Sequence, residues 1–460
     1  MPRSRAWWFH ADSVRKGRSA AGLIASFRGG VEVVMVTFAE LRGAKPDLWM
    51  VAANDMLSAA KQCERVKDDI HDNGVAPLSD NWADHTGALA VDALKSIAGR
   101  AEVEAVLARS TVDPVDTLSH AVSIAQNELE NGVRAAEALG CGVDPATGSI
   151  LPPPNIPSEG LDVATMQKIE AAQRLINDAV EAATQADAEC TKALQETNRN
   201  SGTDDLQQAR VVQADATEDA LKELRQTIPD GLPPGDVARW WSSLTPQEQF
   251  DLERACPVEL FNLNGVPDSV KQAIDRKDQL GYSSVGTVQY ALTNVDDKSL
   301  DNFPDDCTNF VSDSLHYGGG LSEHRSGMGL KPPKFDRGGW SDSDVGPEGD
   351  THWSYTPSWA AAQNNRDFFL SHGGTVVDQG QARPGDVVYF TETQTDPAHG
   401  LSPNETHHAA VVTGVLPDGQ VLYTQHSDSA ANYPLNGRLP GFEQDYGQQR
   451  IEIVQPKKTW

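Results

Sequence analysis

The spacing of apolar residues changes once along this chain, and that change limits the folds available to it. Before Gly140, apolar side chains recur every three or four residues, as in Ala52, Met56, Ala59, Cys63, Val66 and Ile70. From Tyr282 onward the sequence has short β-branched runs, such as GDVVYF and HAAVVTGV, between turn residues. The first pattern predicts helices and the second predicts strands. We therefore expect a multidomain chain, with an N-terminal all-α part of long helices and helical hairpins and a C-terminal α+β part with a small antiparallel sheet.

Stretches rich in Gly and Pro mark the predicted boundaries. The helical domain covers residues 36–227, with a loop at 141–160, and a heptad pattern through Ile176, Ala183 and Cys190 predicts a long helix after that loop. The segment IPDGLPPGD then opens a linker and small helical module at 228–280. The last domain covers residues 281–460.

The module and the N-terminus each carry one further expectation. In the module, Pro246 suits the first position of a helix, and we interpret Trp240 and Trp241 as buried anchors in preference to a binding surface. Residues 1–35 form a basic leader. Met35 is an alternative start, which would place that leader outside the native protein.

Charge and cysteine content exclude several classes of protein. The net charge of −28 and pI near 4.7 disfavour nucleic acid or an anionic membrane surface as the partner, because both would repel the chain. The five cysteines form no CxxC pair, so we expect neither a disulfide scaffold nor a zinc knuckle. We expect no signal peptide and no membrane span. A cytoplasmic location and export by a non-classical route both stay open.

The stretch DDCTNFVSDSLHYGGG, residues 305–320, holds the candidate nucleophile. Apolar residues follow Cys307 at helical spacing and three glycines end the run, so Cys307 belongs to the first turn of a helix. The unpaired N–H groups there favour a thiolate, and we expect them to lower the pKa of the thiol. Asp305 and Asp306 are predicted to cap this turn.

A candidate general base lies about one hundred residues later, on a predicted strand. THHAAVVTGVLPDGQVLYTQHS gives a strand that begins at His407 and His408, a PDG hairpin turn, and a returning strand that ends in Gln425 and His426. A cysteine on a helix, a histidine on a sheet and a polar side chain on the next strand can supply a nucleophile, a base and an orienting group.

These motifs resemble the putative amidase domain family of bacterial papain-like enzymes, which are related to NlpC-type and CHAP cell-wall peptidases. DCTNFVS, RPGDVVYF and HHAAVVTG…YTQHS carry the resemblance over about residues 281–455, and HWSYTPSW is similar to the family's aromatic segment. The resemblance implies a papain-like domain that cleaves amide bonds with neither metal nor cofactor. It implies Cys307 as nucleophile and His408 as base. We prefer His426 as the third catalytic residue, with Gln425 as the alternative.

The helical part resembles WXG-type proteins of actinobacterial type VII secretion, with SDNW at the position of their turn. The chain departs from that pattern, since Gly87 follows Trp82 by five residues and no Tyr precedes Tyr282 to form the usual export signal. The resemblance implies a helical secretion partner, or an immunity protein, as a binding partner.

Two alternatives compete with a cysteine hydrolase. His399, His407, His408 and His426 could ligate zinc, but neither HExxH nor a Cys pair supports a metal site. Aspartates at 342–350 are expected in a solvated loop. The favoured function is a cysteine amidase or peptidase acting on peptidoglycan stem peptides or a similar amide, as the C-terminal domain of a type VII secretion-like effector. The other is a non-catalytic interaction protein whose C-terminal domain is a degenerate binder.

Overall fold

A computed structural model describes residues 35–153, 162–300, 303, 305–326, 333–342, 355–396, 399–426, 428–436 and 449–460. Nearly all of the predicted leader, the end of the 141–160 loop, most of the acidic 342–350 run and Trp353 of the aromatic segment lie outside these residues. The chain forms two compact units, Met1–Gln249 and Phe250–Trp460.

Helices build the N-terminal unit, in the order α1 (Phe38–Gly43), α2 (Pro46–Ile70), α3 (Ala76–Asn81), α4 (His85–Arg109), α5 (Val112–Ala138), α6 (Val163–Arg199), α7 (Leu206–Gln226) and α8 (Pro234–Ser243). A short hairpin of β1 (Gly142–Val143) and β2 (Ile150–Leu151) follows α5. The predicted seam of α6 is buried, with Ile176, Ala179 and Ala183 packing in one core with Leu118 and Leu129 of α5. The prediction of a helical N-terminal part is confirmed, apart from this short hairpin.

The residues of the predicted small module are helical, as expected. Trp240 and Trp241 of α8 are buried, which confirms their interpretation as anchors. Helix α9 (Pro246–Ala255) begins at Pro246. Thr245 and Glu248 stabilise this start reciprocally, since the Glu248 N–H donates to the Thr245 hydroxyl (3.2 Å) and the Thr245 N–H donates to the Glu248 carboxylate (2.7 Å).

The C-terminal unit is α+β, as predicted. Its helices are α10 (Pro257–Asn262), α11 (Asp268–Asp275), α12 (Lys277–Leu280), α13 (Ser284–Asn294), α14 (Cys307–Asp313), α15 (Pro357–Ala360) and α16 (Ala362–Ser371). Its strands are β3 (Thr375–Val377), β4 (Val387–Glu392), β5 (Thr406–Val415), β6 (Val421–Gln425), β7 (Ala430–Pro434) and β8 (Gln449–Gln455). They form one antiparallel sheet in the order β3-β8-β4-β5-β6-β7.

The two faces of this sheet pack into different cores. Tyr389, Ala409 and Val411 join the core that contains α14, α15 and α16. The alternate positions, including Phe390 and Ala410, join a second core with residues of β6 and β8. This alternation follows from the two-residue period of a strand, and it decides which side chains can meet at the start of β5.

Residues before 281 are tied into the C-terminal unit by buried polar contacts. The Arg276 guanidinium donates to the Asp386 carboxylate (3.0 Å) and to the Pro384 carbonyl (2.6 Å). Asp275 accepts hydrogen bonds from the Ser283 hydroxyl and the Val285 N–H. The chain that leads into β4 is therefore held by residues that the sequence assigned to the module at 228–280.

Candidate active site

Cys307 is the first residue of α14 and is only 7% exposed. Phe310, Val311 and Leu315 follow at helical spacing and pack against the sheet, so the first turn of α14 is pressed onto β5. The helix continues as a π-helical turn, Ser314–Gly318, and Gly320 then adopts a positive φ of 71°. The sequence therefore places the thiol at the start of a buried helix, as predicted.

The backbone of β5 fixes where the thiol lies relative to His408. Val412 exchanges backbone hydrogen bonds with Asp386 and Gly385, on the β4 side. Because hydrogen-bonding direction alternates along a strand, the N–H of Ala409 points to the other side, toward β6. That N–H is hydrogen-bonded to the Cys307 thiol. The thiol thus lies beside Ala409 at the start of β5. The His408 ring packs on Phe390, on the other face of the sheet, and among the described residues no hydrogen bond joins that ring to the thiol.

Burial is the largest influence on the protonation of Cys307. Desolvation raises the pKa of the thiol above its ordinary value, and the charge of Asp305 adds to this rise. Hydrogen bonds from the Thr308 hydroxyl and from the N–H groups of Ala409 and Thr308 lower the pKa, but by less. The predicted net lowering at the helix N-terminus is therefore wrong, because the sequence did not reveal how completely the thiol is desolvated.

The predicted capping by Asp305 and Asp306 also needs correction. Asp306 occupies the N-cap position, but its side chain makes no capping hydrogen bond into α14. Its carboxylate accepts hydrogen bonds from the Phe303 N–H (3.2 Å) and from the Asn309 amide (3.3 Å). Asp305 is exposed. The carboxylate of Asp306 is drawn to these partners because it is buried, and a buried carboxylate needs donors wherever they lie.

His408 and Gln425 face each other across β5 and β6. The Gln425 Oε1 lies 2.8 Å from the His408 Nε2, and the Gln425 Nε2 donates to the Asp428 carbonyl (2.8 Å). The His408 ring packs edge-on against Phe390, at 5.3 Å between centroids. The side chain of Gln425 is therefore fixed at both ends of its amide, and it is the group that the structure places on the ring of His408.

His426 directly follows the last residue of β6, and its side chain points to the opposite side from that of Gln425, as expected for neighbours at the end of a strand. Its ring is fully buried and stacks on Phe310 of α14, with centroids 4.9 Å apart and planes 15° apart. Its Nδ1 lies 3.4 Å from the Asp306 Oδ2. The preference for His426 as the partner of the His408 ring does not match these contacts, because the register turns His426 toward α14.

The remaining candidate zinc ligands have separate partners. His399 lies against Asp396 (Nδ1 to Oδ2, 2.6 Å), and His407 lies against Gln449 (Nε2 to Oε1, 2.7 Å). Burial lowers the pKa of His407. Within the described ranges, no group of three His, Cys, Asp or Glu is arranged to hold a metal ion. None of the helices in the described part of the chain is long and apolar enough to span a membrane.

The comparisons with known proteins agree with the motifs at this site. Residues 281–449 match the sequence model of the family described as "Putative amidase domain". The match includes Cys307, His408, Gln425 and His426. No curated protein and no solved structure matched the chain. The C-terminal unit is therefore similar to an amidase domain, which implies a hydrolase acting on an amide substrate.

Proposed function

We propose that the C-terminal unit is a cysteine-dependent amidase with a papain-like arrangement, in which Cys307 is the nucleophile, His408 the base and Gln425 the orienting group. The observation that carries the proposal is the orientation of the Gln425 amide. It is held between the Asp428 carbonyl and the His408 ring, so the protonation state of that ring follows from hydrogen-bond chemistry.

The argument starts at Asp428. Its backbone carbonyl can only accept a hydrogen bond, so the NH₂ group of Gln425 must face it. The carbonyl oxygen of Gln425 then faces the His408 Nε2, which must carry a hydrogen in order to donate. In the neutral ring the hydrogen is then on Nε2 and the lone pair is on Nδ1. His408 is thereby held in the tautomer that a general base requires.

The proposed reaction uses these groups in two stages. The Nδ1 of His408 takes the thiol proton, and the thiolate attacks the amide carbonyl carbon to give a tetrahedral intermediate. That intermediate collapses to a thioester as the amine leaves with the proton from His408. Water, deprotonated by His408, then attacks the thioester and releases the acid and the thiol. The Ala409 N–H hydrogen-bonds the sulfur and would steady the thiolate.

The raised pKa of Cys307 makes the base necessary. A desolvated thiol ionises poorly by itself near neutral pH, so the proposed mechanism requires transfer of the thiol proton to the imidazole of His408. Gln425 also borders a cleft of about 510 Å³ with Lys298 and Tyr433, but neither Cys307 nor His408 is among the described residues that line it, so this cleft does not by itself locate the substrate.

Peptidoglycan stem peptides are the substrate class that the family resemblance supports best. The WXG resemblance of the helical unit supports delivery as a type VII secretion-like effector, with a helical secretion partner or an immunity protein. Both proposals rest on motifs in the sequence. We propose that the bond cleaved is an amide, whose hydrolysis creates a new amino group.

The experiment is to incubate the full chain with purified peptidoglycan and with a set of free peptides, and to identify new amino termini by mass spectrometry. New termini from the wild type, but not from Cys307→Ser, are expected. If the wild type binds these substrates but cleaves none, the non-catalytic interaction protein becomes the better account. If Cys307→Ser cleaves as the wild type does, the cysteine mechanism is wrong.

A further inference from the structure

One face of α14 carries a buried polar network that the reaction proposed above does not use. Asp306, Asn309 and Asp313 follow one another at helical spacings of three and four, and they are 1%, 1% and 5% exposed. The Asn309 Nδ2 donates to the Oδ2 of Asp306 (3.3 Å) and to the Oδ2 of Asp313 (3.2 Å). Trp359 donates its Nε1 hydrogen to the Asn309 Oδ1 (2.9 Å), which fixes the orientation of that amide.

His426 completes this network at the end nearest the proposed nucleophile. Its Nδ1 lies 3.4 Å from the Asp306 Oδ2, and its ring is held by stacking on Phe310. An ionised carboxylate can only accept, so beside it the Nδ1 of His426 carries the hydrogen. Asp306 is the residue directly before Cys307, and therefore His426 contacts the start of α14 rather than the ring of His408.

We propose that Asp306 and His426 form a buried pair that positions the Cys307 thiol, with Asp306 as the positioning residue and His426 as the group that holds it. The inference rests on the proposed role of Cys307 as nucleophile. It gives His426 a role on the nucleophile's side of the site, whereas Gln425 acts on the side of the base.

Two physical arguments support the pair. A buried carboxylate is costly unless donors surround it, so Asp306 needs Phe303, Asn309 and His426 together to stay in place. A negative charge beside a thiol also opposes its ionisation, as Asp305 already does. The hydrogen that His426 donates draws the charge of Asp306 away from the Cys307 sulfur. The same hydrogen bond fixes the backbone at the start of α14, which carries Cys307.

The test compares two substitutions of His426 in the full chain. His426→Asn keeps a donor near the position of the Nδ1, whereas His426→Leu keeps apolar packing on Phe310 and loses the donor. We expect kcat to fall about tenfold or more in the Leu variant, with KM within about twofold, and to fall no more than about threefold in the Asn variant. The rate of Cys307 alkylation by iodoacetamide, followed by mass spectrometry, should change in the same order.

A double-mutant cycle tests the coupling directly. If His426 acts through Asp306, then His426→Leu costs little more in an Asp306→Asn background than Asp306→Asn costs alone. Losses that multiply would overturn the proposal, as would equal losses in the Leu and Asn variants. If the wild type hydrolyses no amide, the proposed function fails, but the alkylation rates of Cys307 still decide whether the pair positions the thiol.

A second comparison applies if His426→Leu does not fold, as judged by circular dichroism. Asp306→Asn and Asp313→Asn make the same isosteric change in the same network, but Asp313 is at the far end of α14, about 1.7 turns from Cys307. Asp306→Asn should slow turnover about tenfold, and Asp313→Asn should change turnover by less than about threefold. Equal rates in these two variants would overturn the proposal.

Discussion

Replacement of Gln425 by Ala tests the orientation of His408, because it removes the side chain that the structure places on the ring. The variant loses the 2.8 Å contact with the His408 Nε2 and the 2.8 Å hydrogen bond to the Asp428 carbonyl. Gln425 is 2% exposed, so bulk water does not replace it without rearrangement. We expect the fold to survive and the ring to sample other orientations and the other tautomer.

The size of the effect follows from the charge that develops on His408. The ring becomes an imidazolium when it takes the thiol proton, and a hydrogen bond to a charged group contributes about 1.5–3 kcal/mol. At about 1.4 kcal/mol for each factor of ten, kcat should fall about 10- to 150-fold. The neutral amide of Gln425 supports the imidazolium less than a carboxylate would, so values near the lower end are expected.

Gln420→Ala is the matched control. Gln420 is also a buried glutamine of the β5–β6 hairpin, 3% exposed, and its Oε1 accepts a hydrogen bond from Asn436 (2.8 Å). It is five residues from Gln425, about 17 Å along a strand. Initial rates on an amide substrate should show kcat within about twofold of wild type for Gln420→Ala. If the two variants have the same kcat while both remain folded, Gln425 does not orient the base.

Three other predictions concern the base, the helical unit and the domain boundary. His408→Ala should slow iodoacetamide alkylation of Cys307 near neutral pH about tenfold or more, because burial raises the pKa of that thiol and a base is needed to remove its proton. An unchanged rate would contradict the role of His408 as the base. Burial raises the pKa of Glu128 from 4.5 to about 7, so the folded state binds this proton more tightly than the unfolded state does. The resulting stabilisation is complete below pH 4.5 and is lost as the pH rises through 7. The Tm, followed by circular dichroism, should therefore fall between pH 5 and pH 8 by less in Glu128→Gln than in wild type, and equal falls would contradict this. A segment of residues 250–460 should be soluble and folded. The shorter segment 281–460 lacks Arg276 and leaves Asp386 buried without its cation, which should lower the free energy of unfolding by about 3–5 kcal/mol. Equal denaturation midpoints for the two segments would refute this.

The periodicity of the sequence predicted the helices and turns of this chain better than it predicted which side chains contact one another. The seam of α6, the start of α9 at Pro246 and the PDG turn between β5 and β6 all follow from local spacing and from residues with strong conformational preferences. Gly419 of that turn has a positive φ of 91°, which is why a glycine is placed there. These features depend on a few neighbouring residues, so the sequence shows them directly.

The polar interior of the helical unit could not be predicted in this way. Gln213 and Glu223 of α7 are fully buried, and burial raises the pKa of Glu223 well above its ordinary value. A helical pattern read from apolar residues assigns such polar positions to the solvent-exposed face. Only the packing of α7 against its neighbours shows that the stripe of buried residues includes them.

At the candidate site, the sequence identified the residues but not which of them meet. Cys307, His408, Gln425 and His426 stand in recognisable motifs, yet the choice between Gln425 and His426 depends on the register of β5 and β6, which shifts between Val412 and Gly414. A shift of one residue exchanges the faces of both side chains. The spacing of Asp306, Asn309 and Asp313 was visible in the sequence, but their burial was not.

The measurement that tests the account most directly compares the amidase activity lost with the fraction of the protein in which Cys307 is modified. The full chain is treated with iodoacetamide for increasing times, the modified fraction of each of the five cysteines is mapped by mass spectrometry, and the remaining amidase activity is measured. The account predicts that activity falls in proportion to the modification of Cys307 and independently of Cys63, Cys141, Cys190 and Cys256. It also predicts a loss of roughly a thousandfold or more in Cys307→Ser. Full activity in protein whose Cys307 is alkylated, or in the folded serine variant, would contradict the proposed mechanism.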